Sequence, residues 1–209
     1  MAWDRLRSTY DRVAGRYEAR FLDELQGKPR DRELLEAFAA SVGDPVVEVG
    51  SGPGQIGAFV RQRGRRVVGI DLSAEMAKLA GLRLDAAVAA DMHALPLAAE
   101  VVGGVLAFYS LIHVRRSKLV AVLQQFHRVL RPGGRVLCSA HEGEGEVELD
   151  EFLDEPVPLA ASFFKLEELT TASRAAGLDV VLAERRAPYP SESSTVRLYV
   201  EAVRSQRAP

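Results

Sequence analysis

The 209 residues predict an α/β fold: a mostly parallel sheet, helices on both faces, and one antiparallel strand near the C-terminal edge. Three observations carry that expectation. Five short, nearly continuous apolar runs alternate with stretches of helical periodicity, the pattern of strands buried on both faces by crossover helices. A cluster of glycines follows the first run directly. The last two runs, "DVVLAERRA" and "TVRLYVEAV", are joined by a Pro/Ser loop with no room for a crossover helix, so they pair antiparallel.

In chain order, Tyr10, Val13, Tyr17 and Phe21, then Leu34, Leu35, Phe38 and Val42, recur at three- and four-residue spacing. They predict two helices separated near "GKP" (Gly27 to Pro29). "PVVEV" is the first strand, followed by glycines and a helix with Ile56, Phe59 and Val60 on one face. "RVVGID" is the second strand, and "LSAEMAKLAG" is its helix, stopped by Gly81. "AAVAAD" and "VVGGVLAFY" are the third and fourth strands. Leu119, Val122, Leu123, Phe126, Val129 and Leu130 mark a helix that ends at "RPGG", before the strand "RVLCSA". "LEELTTASRAAG" is a last helix ending in Gly177. Residues 1–43 are expected to form a helical lid on a core of residues 44–209, one structural unit.

Composition narrows the function. The net charge of −2 supplies no positive field for nucleic acid or anionic lipid, so neither is an expected partner. No run of about 18 apolar residues is present, and "MAWDRLRSTYDR" lacks the apolar stretch of a signal peptide. A single cysteine, Cys138, excludes an intramolecular disulfide and suits the cytoplasm. Lying in an apolar run, it reads as a small buried hydrophobe rather than a nucleophile.

The decisive stretch is "VVEVGSGPGQIG" (Val46 to Gly57). In an open parallel sheet, ligands bind beyond the carboxyl ends of the strands, where strand order reverses, and this loop belongs there. A nucleotide-triphosphate loop needs Lys-Ser/Thr after its last glycine, and this sequence has neutral residues instead. Gly52, Gly54 and Gly57 do fit a dinucleotide fingerprint, with Asp71 at a ribose distance, and a nicotinamide-dependent oxidoreductase is the competing reading. Against it stands Glu48, a carboxylate where a pyrophosphate would approach. A cofactor with a cationic end and no phosphate suits it better.

The order of these motifs resembles that of the class I S-adenosylmethionine-dependent methyltransferases, of the small-molecule type. "VVEVGSGPG" is similar to that family's first motif, "VVGIDLS" to its second, "AADMHALPL" to its third, and "VLRPGGRVL" to the turn before its fifth strand. The resemblance implies a Rossmann-like seven-stranded sheet and S-adenosyl-L-methionine as cofactor. Glu48, Gly50, Ser51 and Gly52 would then lie along the methionine part and Asp71 and Leu72 at the ribose. Asp91 and the amide of Met92 would read the adenine, Met76 would pack beneath it, and the backbone of Phe108 would lie near the methionine. Asp71 and Asp91 also read, more plainly, as helix caps. A protein that binds the cofactor but has lost or changed its reaction remains an alternative.

For the acceptor, a small molecule taking the methyl on O, N or C, two histidines stand out. His113 and His141 both follow strand ends on the ligand-bearing edge, where a base or substrate contact belongs. Tyr10 and Tyr17 lie two turns apart on one helical face and read either as core or as a lid over the cofactor. Lys28 and Arg32 are candidates for a carboxylate contact, and Arg186 and Tyr189 for a substrate contact. His93 and His127 read as structural. Glu142 to Glu155 carries eight acids and no Lys or Arg. It reads as a solvated loop or as an acidic rim attracting a cationic acceptor. No metal signature is present, and a monomer or homodimer is expected.

Overall fold

The computed structural model describes residues 2–206. Helices α1 (Ala2–Phe21) and α2 (Pro29–Ser41) come first, divided by a short 3-10 turn over Glu24–Gly27. Strand β1 (Val46–Val49) leads into α3 (Gln55–Arg61), β2 (Val67–Asp71) into α4 (Ala74–Gly81), then β3 (Ala86–Ala89) and β4 (Val102–Phe108). Helix α5 (Leu119–Val129) precedes β5 (Leu130–His141). After it come β6 (Glu146–Leu149), β7 (Leu159–Ser162), α6 (Leu166–Ala175), β8 (Leu178–Arg186) and β9 (Arg197–Arg204).

Seven strands form one sheet in the order β3-β2-β1-β4-β5-β9-β8. Only β9 runs against its neighbours, pairing antiparallel with both β5 and β8. Along β4 the side chains alternate between two cores, because successive residues of a strand point to opposite faces. Val105 and Ala107 join Leu123 and Phe126 of α5 and Leu169 of α6. Leu106 and Phe108 join Leu35 and Phe38 of α2 and Ile56 and Val60 of α3. Covered on both faces, the central strands are apolar throughout, and all seven residues of β4 are buried.

Two details depart from the sequence reading. "RPGG" is not merely the end of α5: β5 already pairs at Leu130 with Val102, and the ladder slips before resuming at Arg135 and Gly104. The acidic stretch contains a strand, β6, which pairs antiparallel with β7 from Glu146–Ser162 to Leu149–Leu159.

Helix α1 is held across the sheet edge. The Asp11 carboxylate accepts from the Ser73 hydroxyl (2.6 Å), which in turn accepts from the Met76 amide as the N-cap of α4. The Thr9 hydroxyl donates to the carbonyl of Pro158 at 2.8 Å. No helix among the described residues is long and apolar enough to cross a membrane.

Candidate functional site

The strand order reverses between β1 and β4, and the chain opens a crevice there. Gly50, at the end of β1, has φ +70 and a Cβ on it would lie 2.2 Å from Ser110 Cβ, so only glycine lets the two loops meet. The Ser110 hydroxyl closes the contact by donating to the carbonyl of Val49 at 2.7 Å. Above this seam lies a cavity of about 850 Å³, within the ordinary range for small-molecule sites. It brings together Glu48, Gly50, Ser51 and Gly52, Asp71, Leu72 and Met76, Asp91, Met92 and Phe108, Tyr10 and Tyr17, and His113 and His141.

One part of the cavity is a set of acceptors, Glu48 and Gln55 buried and Asp71 half-buried. The Asp71 carboxylate accepts from the amides of Gly52 (2.8 Å) and Ser73 (2.9 Å), with the Leu72 amide also acting on it. Desolvation pushes its pKa up to about 6 against the pull of those amides. Glu48 accepts from the amide of Gly57 at 3.0 Å, and burial raises its pKa well above the usual carboxylate range. Among the described residues, neither carboxylate is ion-paired. The amide oxygen of Gln55 is buried with no partner, while its nitrogen donates to Glu24 at 2.8 Å. Buried acceptors left in this state are costly unless a ligand brings donors or positive charge. A sulfonium cofactor with an ammonium group and a ribose diol fits them; a pyrophosphate does not. Asp91 does what its plainer reading implied, capping a 3-10 turn by accepting from the amide of His93 at 2.8 Å, and still lines the cavity.

Helix α1 meets one of the two histidines. The Tyr10 hydroxyl lies 2.7 Å from Nε2 of His113, and Nδ1 of the same ring is 3.3 Å from the carbonyl of Ala160. A carbonyl only accepts, so Nδ1 carries the proton and Nε2 accepts from Tyr10. Burial lowers the His113 pKa to about 4, which keeps the ring neutral. Tyr17 reaches the glycine loop: a Cβ on Gly52 would lie 3.6 Å from its ring. Tyr10 and Tyr17 also pack against Phe152, with ring centroids 5.9 and 6.4 Å apart.

His141 differs from His113. Its Nδ1 is 2.8 Å from the Thr195 hydroxyl, and its ring lies 5.3 Å from that of Tyr109, tilted by 30°. Burial, helped by Arg197 and Lys28, lowers its pKa to about 4. Among the described residues its Nε2 has no hydrogen-bond partner, and the side chain lines the cavity.

Several residues of the site carry no signal in the sequence. Tyr109 follows β4 with φ 51, a strained conformation for a non-glycine residue, and donates its hydroxyl proton to Asp31 at 3.2 Å. Asp31 is fully buried on α2 and also bonded by Tyr199 and Arg186. Glu192 accepts two hydrogen bonds from Arg186, at 2.8 and 3.0 Å, and faces Lys28 and Arg197 at 3.8 and 3.5 Å. Asp31 meets Tyr109, Arg186 and Tyr199 from 78 to 168 positions away, so no local pattern announces that cluster.

Other candidates fall elsewhere. Arg186 and Tyr189 do not line the cavity; Arg186 holds Asp31 and Glu192, and the Tyr189 hydroxyl accepts from the amide of Arg30. Arg32 sits over the Phe59 ring at 5.6 Å, whereas Lys28 lines the cavity and is ion-paired with Glu24. The acidic stretch does not present its carboxylates to the cavity. Leu149, Phe152 and Leu153 face it, while Glu142 pairs with Arg185, Glu144 with Lys165 and Glu155 with Arg16. Cys138 is buried and its thiol pushed up to about 12, so it is no nucleophile.

The methyltransferase domain family model matches residues 47–138. A ubiquinone/menaquinone biosynthesis C-methyltransferase of Rubrivivax gelatinosus is 30% identical over 141 residues, covering 64% of this chain and 55% of that protein. A malonyl-[acyl-carrier protein] O-methyltransferase of Serratia marcescens is 29% identical over 194 residues, covering 91% and 74%. The crystal structure of Burkholderia thailandensis 1,6-didemethyltoxoflavin-N1-methyltransferase, with bound 1,6-didemethyltoxoflavin and S-adenosylhomocysteine, superposes with a TM-score of 0.73. It is 25% identical, over 96% of this chain and 88% of that one. The chain spans less than two thirds of some curated relatives it matches, 55% and 60% of the length in two cases. With four motifs in this order along one sheet edge and a methyltransferase domain over residues 47–138, the chain is similar to the class I S-adenosylmethionine-dependent methyltransferases.

Proposed function

We propose that the protein transfers a methyl group from S-adenosylmethionine to an O, N or C nucleophile of a small molecule. The observation that carries this reading is the pair of carboxylates, Glu48 buried and Asp71 half-buried, which have no cationic partner among the described residues and line the same cavity as Tyr10 and Tyr17. Asp71 accepts from the ribose hydroxyls. Asp91, Met92 and Met76 surround the adenine, and Glu48 with Gln55 faces the amino-acid end. Bound there, the cofactor supplies an electrophilic methyl carbon, whose bond to sulfur breaks, with its electron pair returning to sulfur, as the acceptor's pair forms the new bond.

The chain contributes alignment and dryness. An in-line displacement gains most from holding the reactants in one geometry, and helix α1 with Tyr10 and Tyr17 covers the site. Residues 1–43 act as the helical lid, with α1 and its two tyrosines over the cavity, and residues 44–209 as the catalytic body.

Calorimetric titration tests the cofactor. Micromolar binding of S-adenosylhomocysteine and none of NADH is expected; the reverse overturns the assignment in favour of an oxidoreductase. Transfer of labelled methyl into a metabolite extract then tests turnover. Cofactor binding with no labelled product from any extract speaks for a binding protein on this fold.

A further inference from the structure

The acceptor side of the cavity is polar in places, yet its charges cancel within the protein. Lys28, Glu192 and Arg197 all line it. Lys28 is paired with Glu24 and faces Glu192, whose carboxylate is shared among Arg186, Lys28 and Arg197. The Arg197 guanidinium is spent on the loop before it, donating to the carbonyl of Ser193 at 3.2 Å and to the hydroxyls of Thr195 (2.7 Å) and Ser193 (3.2 Å). Arg7, paired with Asp4, and Arg20 also line the cavity, but both are exposed to water on α1, where an ion pair is worth little. No carboxylate of the acidic stretch lines the cavity, and Glu142, Glu144 and Glu155 are held in ion pairs with arginine or lysine. A charged acceptor deep in the cavity would therefore lose its hydration for groups already engaged with one another, an expensive exchange.

What the cavity offers instead is aromatic surface and one polar handle. Rings from Tyr10, Tyr17, Tyr109, Phe152 and Phe163 line it, and His141 lies between two of them, 5.3 Å from Tyr109 and 6.4 Å from Phe163 by ring centroid. The two histidines are not equivalent. Both nitrogens of His113 are used inside the protein, by Tyr10 and Ala160. Only Nδ1 of His141 is used, by Thr195. Arg197 already fills one lone pair of the Thr195 hydroxyl, and the Ser193 hydroxyl lies 3.3 Å away, where either oxygen can donate; we read Thr195 as the donor of that pair. The second lone pair is then left for Nδ1–H, and Nε2 of His141 presents its own lone pair to the cavity.

We propose that the methyl acceptor is an uncharged aromatic or heteroaromatic molecule that stacks among these rings and donates a phenolic O–H or a ring N–H to Nε2 of His141. The assignment rests on the methyltransferase reading of the same cavity. Under it, His141 touches the acceptor and His113 belongs to the lid.

The test uses the full chain saturated with S-adenosylhomocysteine at pH 7.5 and three probes of one shape: 2-naphthol, 2-naphthoate and 2-naphthylmethylammonium. Fluorescence titration should show 2-naphthol binding at least about tenfold tighter than either charged probe. In His141→Phe its affinity should fall by about fivefold or more, with S-adenosylhomocysteine binding retained as proof of fold. If a charged probe binds as well as 2-naphthol, if none binds, or if the folded variant binds 2-naphthol unchanged, the assignment is overturned. Failure of the wild-type chain to bind S-adenosylhomocysteine is a separate result and strikes the cofactor reading instead.

Discussion

The Tyr10 hydroxyl, on α1, donates to Nε2 of His113, beyond β4, across 2.7 Å. The bond joins residues 103 positions apart and ties the N-terminal helix to the edge of the sheet where the ligand cavity opens. It makes His113 a latch: its second nitrogen is held by Ala160, which fixes the tautomer that can accept.

That relationship is testable as a coupling. Tyr10→Phe and His113→Ala should each weaken S-adenosylhomocysteine binding by about two- to tenfold, the scale of one hydrogen bond of about 0.5–1.5 kcal/mol. The double variant should lose little more than either single one. Losses that simply add, measured by calorimetry, would remove the latch.

Asp71 predicts how cofactor affinity changes with pH. Its folded pKa is about 6, raised from an ordinary value of 3.8, chiefly by desolvation. The ribose hydroxyls donate to the carboxylate form, so binding below pH 6 must first expel a proton. Affinity should be flat above about pH 7 and fall toward tenfold per unit well below 6. The same shift acts on stability with the opposite sense. A carboxylate whose pKa is raised on folding favours the folded state at low pH, and that contribution is lost as pH rises from about 4 through 6. Asp71→Asn should therefore flatten both profiles, while weakening binding at pH 7.5. Retention of the acid-side loss of affinity in Asp71→Asn would assign it to another group.

Two glycines should respond in opposite directions. A Cβ on Gly57 would lie 2.4 Å from the Glu48 carboxylate, 2.9 Å from Leu84 and 3.0 Å from Val67, all buried. Gly57→Ala should cost about 1–3 kcal/mol, the usual penalty of overpacking. Gly15, on the exposed face of α1, has nothing within 4 Å of its Cβ position. Gly15→Ala should stabilise by about 0.5–1 kcal/mol, the helix-interior difference between the two residues. Denaturant midpoints of the two variants read both signs.

The buried charge network behind Tyr109 should be costly to break from one side. Asp31 is fully buried and bonded by Tyr199, Tyr109 and Arg186. Asp31→Ala leaves Arg186 with one carboxylate fewer and two phenols without their acceptor, a loss on the order of 3 kcal/mol. A loss under 1 kcal/mol in urea unfolding would show that the network relaxes through Glu192 alone.

Periodicity and turn chemistry made the frame legible. β-Branched runs at the lengths of strands, helical spacing between them and a loop too short for a crossover yielded the seven strands and the reversed direction of β9. The acids in "VVEVG" and "VVGID" marked the cofactor side, because a carboxylate at a strand end beside glycines carries chemical meaning by itself. The pairing of β6 with β7 stayed hidden, since every residue of β6 is exposed and "EVEL" offers no buried face to announce a strand. The acidic stretch was ambiguous for the same reason: composition states how many charges there are but not which way they turn.

The sequence by itself determined the class of fold, the family resemblance and the sheet edge at which the cavity opens, because these follow from patterns within a few residues of one another. The tertiary structure decided how the two histidines differ, where the acids point and how the acceptor side cancels its charges. Contacts between residues tens to more than a hundred positions apart carry much of this, as Tyr10 meets His113 and Asp31 meets Arg186. Hydrogen-bond capacity is spent or left open only when such partners arrive, and no local pattern records which of them will.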